Sequence, residues 1–102
     1  MNFTLSGTNK ELLVNDFGVY ITEKEVTTFI PLRSIEAVVI KTPGTLSTGY
    51  ILFRTPGSFV GSHTVKSTDA EVAMDRQAVL FKKGSIETAL AIRDAIAAKL
   101  AI

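Results

Sequence analysis

Cysteine is absent from this 102-residue chain. That excludes a disulfide framework, a thiolate metal site and a cysteine nucleophile. Tryptophan is absent as well, and there is a single histidine. Neither sign of charge dominates: 11 Lys and Arg stand against 10 Asp and Glu, for a net charge of +1. The charges are scattered, so the chain lacks the concentrated basic stripe of a dedicated nucleic-acid binder. No run approaches the roughly 20 apolar residues that a membrane-spanning helix needs. Met1 to Leu5 lacks the basic head and apolar run of a signal peptide. Asn2 excludes N-myristoylation, and the chain ends without a prenylation cysteine. The expectation is a cytoplasmic protein. The 46% hydrophobic and 21% charged content supports a packed core, and the length suits one domain over residues 1–102.

The first two-thirds reads as β-structure. Asn2 to Ser6 is a short candidate strand. Lys10 to Val14 and Val19 to Thr22 flank a turn signal at Asn15-Asp16-Phe17-Gly18 and are expected to pair as a hairpin. Glu25 to Ile30 is β-branched and aromatic, and Pro31 ends it or marks it as an edge. Ser34 to Lys41 is largely apolar on both faces. Its alternation sets Ile35, Ala37 and Val39 against Glu36, Val38 and Ile40. Thr42-Pro43-Gly44-Thr45 makes a turn, Gly49 to Arg54 resumes as strand, and Thr55-Pro56-Gly57-Ser58 is a second turn. A weaker strand runs through His63 and Val65. Residues 67–76 read as a loop. Gln77 to Lys83 returns to strand, with Val79 and Phe81 on one face and Ala78 and Leu80 on the other.

The last element reads as a helix. Gly84 breaks the strand and Ser85 is a good N-cap. Glu87 and Lys99 suit the two ends of the helix dipole. Steps of about 100° place Ile86, Ala89, Leu90, Ile92, Ile96, Ala97 and Leu100 on one half-cylinder. That apolar half requires a sheet to cover it.

Residues 30–58, from Ile30-Pro31-Leu32-Arg33-Ser34-Ile35 to Gly49-Tyr50-Ile51-Leu52-Phe53, resemble the centre of a bacterial pleckstrin-homology-like family of unknown function. Residues 78–96, Ala-Val-Leu-Phe-Lys-Lys followed by Leu-Ala-Ile-Arg-Asp-Ala-Ile, are similar to its final strand and helix. The resemblance implies a mainly-β, α+β fold: a bent antiparallel β-sandwich or barrel of about seven strands, capped by one C-terminal α-helix. It implies a bacterial or phage origin and supplies no activity. The stretch between Ile21 and Pro31 is shorter than the family's usual second hairpin.

Few residues suggest chemistry. His63, with Asp69, Glu71 and Asp75 in the following loop, matches no metal-ligand spacing and reads as an exposed strand residue. Glu23/Glu25 and Glu71/Asp75 read as solvated faces. No glycine sits in a strand–Gly–helix phosphate loop. The chain is therefore read as non-enzymatic, without cofactor or metal. A headgroup site would need converging basic residues, but the first candidate turn carries Asp16. If the 42–48 turn closes the hairpin, positions summing to about 90 face each other, which sets Glu36 opposite Arg54 as a surface ion pair. Lys82 and Lys83 alternate faces, so at most one joins any patch. Membrane contact is not expected. Phe53 and Phe81 have basic neighbours but read as core rather than as a stacking platform.

Two surfaces remain. The edge strand around Val26, Thr28 and Phe29 can dock another strand. On the helix, Arg93 falls inside the apolar half. Either its stem lies along the sheet edge or pairs with a strand carboxylate, or the helix offers Leu90, Arg93 and Ala97 to a partner. The leading expectation is an interaction or adaptor module that binds itself or another protein. The alternative is a site for a small anionic ligand, nucleotide or lipid headgroup, using Ser62, His63, Lys66 and Thr68 with the 43–49 turn.

Overall fold

Four short strands meander into one antiparallel sheet: β1 (Asn2–Ser6), β2 (Glu11–Asn15), β3 (Gly18–Glu23) and β4 (Val26–Pro31), in that order across the sheet. The computed structural model describes residues 1–56 and 76–101. One turn of 3₁₀ helix, Leu32–Ser34, leads to a second antiparallel sheet of β5 (Ala37–Lys41), β6 (Gly49–Arg54) and β7 (Ala78–Phe81). A 3₁₀ turn at Lys83–Ser85 then opens α1 (Ile86–Leu100). The class is α+β. Among the described residues the two sheets do not close into a barrel, which corrects that part of the expectation. The strand through His63 and Val65, the loop at 67–75, and Ser62, His63, Lys66 and Thr68 lie outside the described residues.

The turns of the first sheet follow from local chemistry. Gly7 N–H donates to the Lys10 carbonyl at 2.8 Å, closing the β1–β2 hairpin around Thr8-Asn9. The Asn15 side-chain oxygen accepts from the N–H groups of Phe17 (2.9 Å) and Gly18 (3.3 Å), an Asx turn that fixes the β2–β3 reversal. Lys24 adopts φ 55° in the two-residue β3–β4 turn, the positive φ such tight hairpins require.

The register then sorts side chains into rows. Phe3, Val14, Val19 and Ile30 align across all four strands, and Leu5, Leu12, Ile21 and Thr28 form the next row on the same face. The apolar members of these rows join Ile35, Ile51, Phe53, Val79, Phe81, Ala89, Ile92 and Ile96 in the main core. Phe53 and Phe81 are fully buried there, so neither ring is available for stacking on a base. The other face of the second sheet buries Tyr50, Leu52, Ala78 and Leu80, as the alternation of β7 requires.

β5 departs from its expected register. The ladder pairs Ala37 with Arg54, so positions sum to 91. Yet the Glu36 N–H also donates to the Arg54 carbonyl, at 2.8 Å. Two residues of one strand thus face one of the other, which is a β-bulge. The bulge lets Ile35 point into the same core as Val38 and Ile40, which strict alternation forbids. It also overturns the expected ion pair: Glu36 is exposed and forms no side-chain pair with Arg54.

On α1 the buried stripe is narrower than the sequence pattern. Ala89, Ile92 and Ile96 are buried, Ile86 and Leu90 are half-buried, and Ala97 and Leu100 are exposed. Ser85 occupies the N-cap position without a side-chain capping bond, its φ −103° and ψ 3° lying outside the extended backbone that aims a capping oxygen at the first turn.

Candidate interaction surface

Backbone hydrogen bonding decides which strand edges are closed. In an antiparallel ladder, alternate residues aim N–H and C=O at one neighbour and the rest aim them the other way. Phe53 N–H donates to the Gln77 carbonyl at 3.0 Å, so Val79 and Phe81 also face β6, while Ala78 and Leu80 aim their backbone groups outward. Both outward carbonyls are occupied. Thr8 N–H donates to Leu80 O at 2.9 Å, and Lys10 Nζ donates to Ala78 O at 2.9 Å. Lys10 is only 4% exposed, so this bond is made in the interior, and it fastens the first hairpin across the edge of β7. Gly7 permits the approach: a Cβ there would meet Val79 Cγ1 and the Leu80 carbonyl. In the sequence Lys10 has only the place of a residue that starts a strand, which hides this role. An isolated lysine beside a Gly-Thr-Asn turn was its only signal.

β4 ends the first sheet. The tight turn makes Glu23 and Val26 a hydrogen-bonded pair, so Val26, Thr28 and Ile30 face β3 and Thr27 and Phe29 present N–H and C=O outward. Leu32 N–H, which donates to the Phe17 carbonyl at 3.3 Å, fits the same phase. Pro31 falls in the outward set, where a missing N–H breaks no bond within the sheet.

The three strand residues singled out in the sequence sit together here. Val26 is 51% exposed and Phe29 is 47% exposed, and Thr28 is half-buried between them. The Phe29 ring lies 4.8 Å from that of Tyr20, and Leu13 continues the row on the outer face. The hydroxyls of Thr22 and Thr27 lie 3.0 Å apart on the same face.

The helix residues form a separate surface. Arg93 and Ala97 line a groove of about 420 Å³ with Ile35, Val38, Ile96 and Leu100, between α1 and β5. Arg93 does not pair with a strand carboxylate. Its Nε and Nη2 both reach Asp94 Oδ1 at 3.0 Å, although Glu36 lines the same groove. Leu90 does not line the groove. The strand trio and the helix pair line no cleft in common.

Asp16 clamps three elements. Its Oδ1 accepts from the Met1 amino group at 3.1 Å and from Lys99 Nζ at 3.4 Å, joining the chain start, the β2–β3 turn and the last turn of α1. The hydrogen bond from the amino terminus, then the bond and charge of Lys99, hold the Asp16 carboxyl below its ordinary value.

At the β5–β6 turn, Gly44 to Thr48 face Lys82, Lys83 and Gly84 across a cleft of about 340 Å³. Both lysines line it, contrary to the expectation that they point apart. The strand ends at Phe81, and the 3₁₀ turn that follows breaks the alternation. Leu46 at the turn's tip is fully exposed. Among the described residues, no helix is long and apolar enough to cross a membrane. Comparison with known proteins finds no matching family, no matching curated protein and no matching solved structure.

Proposed function

We propose that this chain is a pleckstrin-homology-like domain of the cytoplasm that works without catalysis, as a protein-interaction module that self-associates through the edge of β4. The observation that carries the reading is the pairing of outward backbone groups at Thr27 and Phe29 with exposed apolar side chains at Val26 and Phe29. An edge of this kind is a template for another strand. Charge, proline within the strand or a covering segment usually guards such edges, and Val26 to Ile30 carries neither charge nor proline.

Light scattering across a concentration series tests it. The expected result is a mass above that of one chain, reduced to one chain by Phe29→Lys with the circular dichroism unchanged. A single-chain mass at millimolar concentration overturns the proposal.

A second reading rests on the cleft between Gly44–Thr48 and the lysines at 82 and 83. Hydroxyls and paired ammonium groups are the donors that phosphate oxygens use, so the cleft suits a small anion. Titration with inorganic phosphate, followed by amide chemical shifts, is expected to move residues 44–48 and 82–84. Shifts confined to other regions, or none, overturn it.

A further inference from the structure

The geometry points to the partner and register of the β4 edge: a second copy of this chain, paired antiparallel about a two-fold axis through Thr28, with Thr27 opposite Phe29 of the partner copy. This rests on the self-association reading and adds to it a specific alignment.

Three features of β4 select it. The first is donor phase. Only Thr27 and Phe29 offer a complete outward N–H and C=O within β4, since Pro31 has no N–H. A two-fold axis through Thr28 pairs these two with each other in both copies, and each pair exchanges two backbone bonds. Moving the axis to Phe29 sets Thr27 against Pro31 and loses a donor on each side. Moving it to Thr27 sets Phe29 against Glu25, a turn residue outside the strand. The central register alone uses every available donor.

The second is side-chain fit. On the inner face, Val26 of one copy meets Ile30 of the other, covering a valine that is half exposed in one chain alone. Thr28 meets Thr28, a pairing that cross-strand threonines favour. On the outer face the two Phe29 rings become diagonal neighbours, about 7–8 Å apart at the backbone and within reach of aromatic side chains. Each already packs against Tyr20 with the rings tilted by 37°, so the pair extends into one row: Tyr20 and Phe29, then Phe29 and Tyr20 of the second copy.

The third is charge. Val26 to Pro31 is uncharged, with Lys24 and Glu25 before it and Arg33 after it. In this register position 33 falls opposite position 23, so antiparallel pairing brings Arg33 of one copy towards Glu23 of the other at both ends. Parallel pairing would set like residues side by side. The product is a continuous sheet of eight strands built from two four-stranded halves.

The absence of cysteine makes the register directly readable. Thr28 directs its own backbone groups at β3, so the Thr28–Thr28 pair is non-hydrogen-bonded, with Cα atoms about 4.5 Å apart, inside the range a disulfide spans. Under mild oxidation, Thr28→Cys is expected to give a covalent dimer as its main product. Single variants Val26→Cys, Thr27→Cys and Phe29→Cys each face a different residue and are expected to link at least tenfold less. Hydrogen exchange on the unaltered chain supplies a reading that needs no substitution: the Thr27 and Phe29 amides are expected to gain protection as concentration rises, and the Pro31 side of the edge is not. Linking that is strongest at another position, or no added protection at Thr27 and Phe29 in a sample that light scattering shows to be dimeric, overturns this register while self-association stands. A single-chain mass throughout overturns both.

Discussion

Replacing Lys10 by Met tests the account of the β7 edge. Methionine keeps the length and most of the packing of the lysine stem and removes only the Nζ donor. That donor lies 2.9 Å from the Ala78 carbonyl in a side chain 4% exposed. Two effects oppose each other. The substitution leaves a buried carbonyl short of a partner and deletes a bond of the stronger, charge-assisted kind, a loss of about 1.5–3 kcal/mol. It also removes the cost of keeping an amino group out of water, and buried polar groups replaced by well-packed apolar ones sometimes gain stability. The first effect is expected to win, because the carbonyl lies on a strand edge whose only other described outward bond is the one from Thr8 N–H to Leu80 O. For a domain of this size, about 1 kcal/mol moves Tm by roughly 4–8 °C, so Lys10→Met is expected to melt about 6–24 °C lower. Urea unfolding should show a lower midpoint with an unchanged slope, and the amides of residues 78–80 should exchange faster. A variant as stable as the parent would falsify the argument: burial of the amino group would then outweigh its bond, and the edge would be held by Thr8 alone.

Other substitutions probe the remaining contacts. Gly49→Ala would drive a Cβ into the Lys41 carbonyl and the ring of Pro43, and thermal melts should show a loss of about 1–3 kcal/mol. Ile92→Ala removes a fully buried side chain from the helix stripe, and should cost about 2–5 kcal/mol by denaturant unfolding, whereas Ala97→Ser on the exposed rim should change stability by less than about 0.5 kcal/mol. Asp16→Asn releases the clamp between Met1 and Lys99. The Asp16 carboxyl is held below its ordinary value when folded, so its contribution is complete above the unfolded value near 3.8 and fades as pH falls through the lower folded one. The variant should therefore melt below the parent at pH 7 and converge with it under more acid conditions; a gap that persists or widens on acidification would count against the clamp.

Much of the strand framework was legible because period and punctuation are local properties. Asn2–Ser6 and Gly49–Arg54 have the bounds that the residues suggest, and Val79 and Phe81 share a face opposite Ala78 and Leu80, as a period of two dictates. The same pattern offered Val26, Thr28 and Phe29 as an edge, since a proline that closes a β-branched and aromatic run ends the strand or marks an edge. What failed did so for non-local reasons. The bulge at Glu36 answers to the core that Ile35 fills, and no spacing within 34–41 encodes it. Arg93 looked embedded in an apolar stripe, but the helix buries only Ala89, Ile92 and Ile96, so the arginine sits on an open rim.

The chain's residues alone determined the alternation of its strands, the positions of most reversals, and the need of the final helix for an apolar surface, because each depends on side chains a few positions apart. Tertiary structure alone decided that the described strands form two sheets, that the edge of β7 is sealed by Thr8 and Lys10, and that among the described strands β4 ends the first sheet. Those outcomes turn on polar groups distant in sequence, separated by 68 positions in the case of the Lys10 ammonium and the Ala78 carbonyl. A buried donor must find an acceptor wherever the fold supplies one, and only the assembled core says where that is.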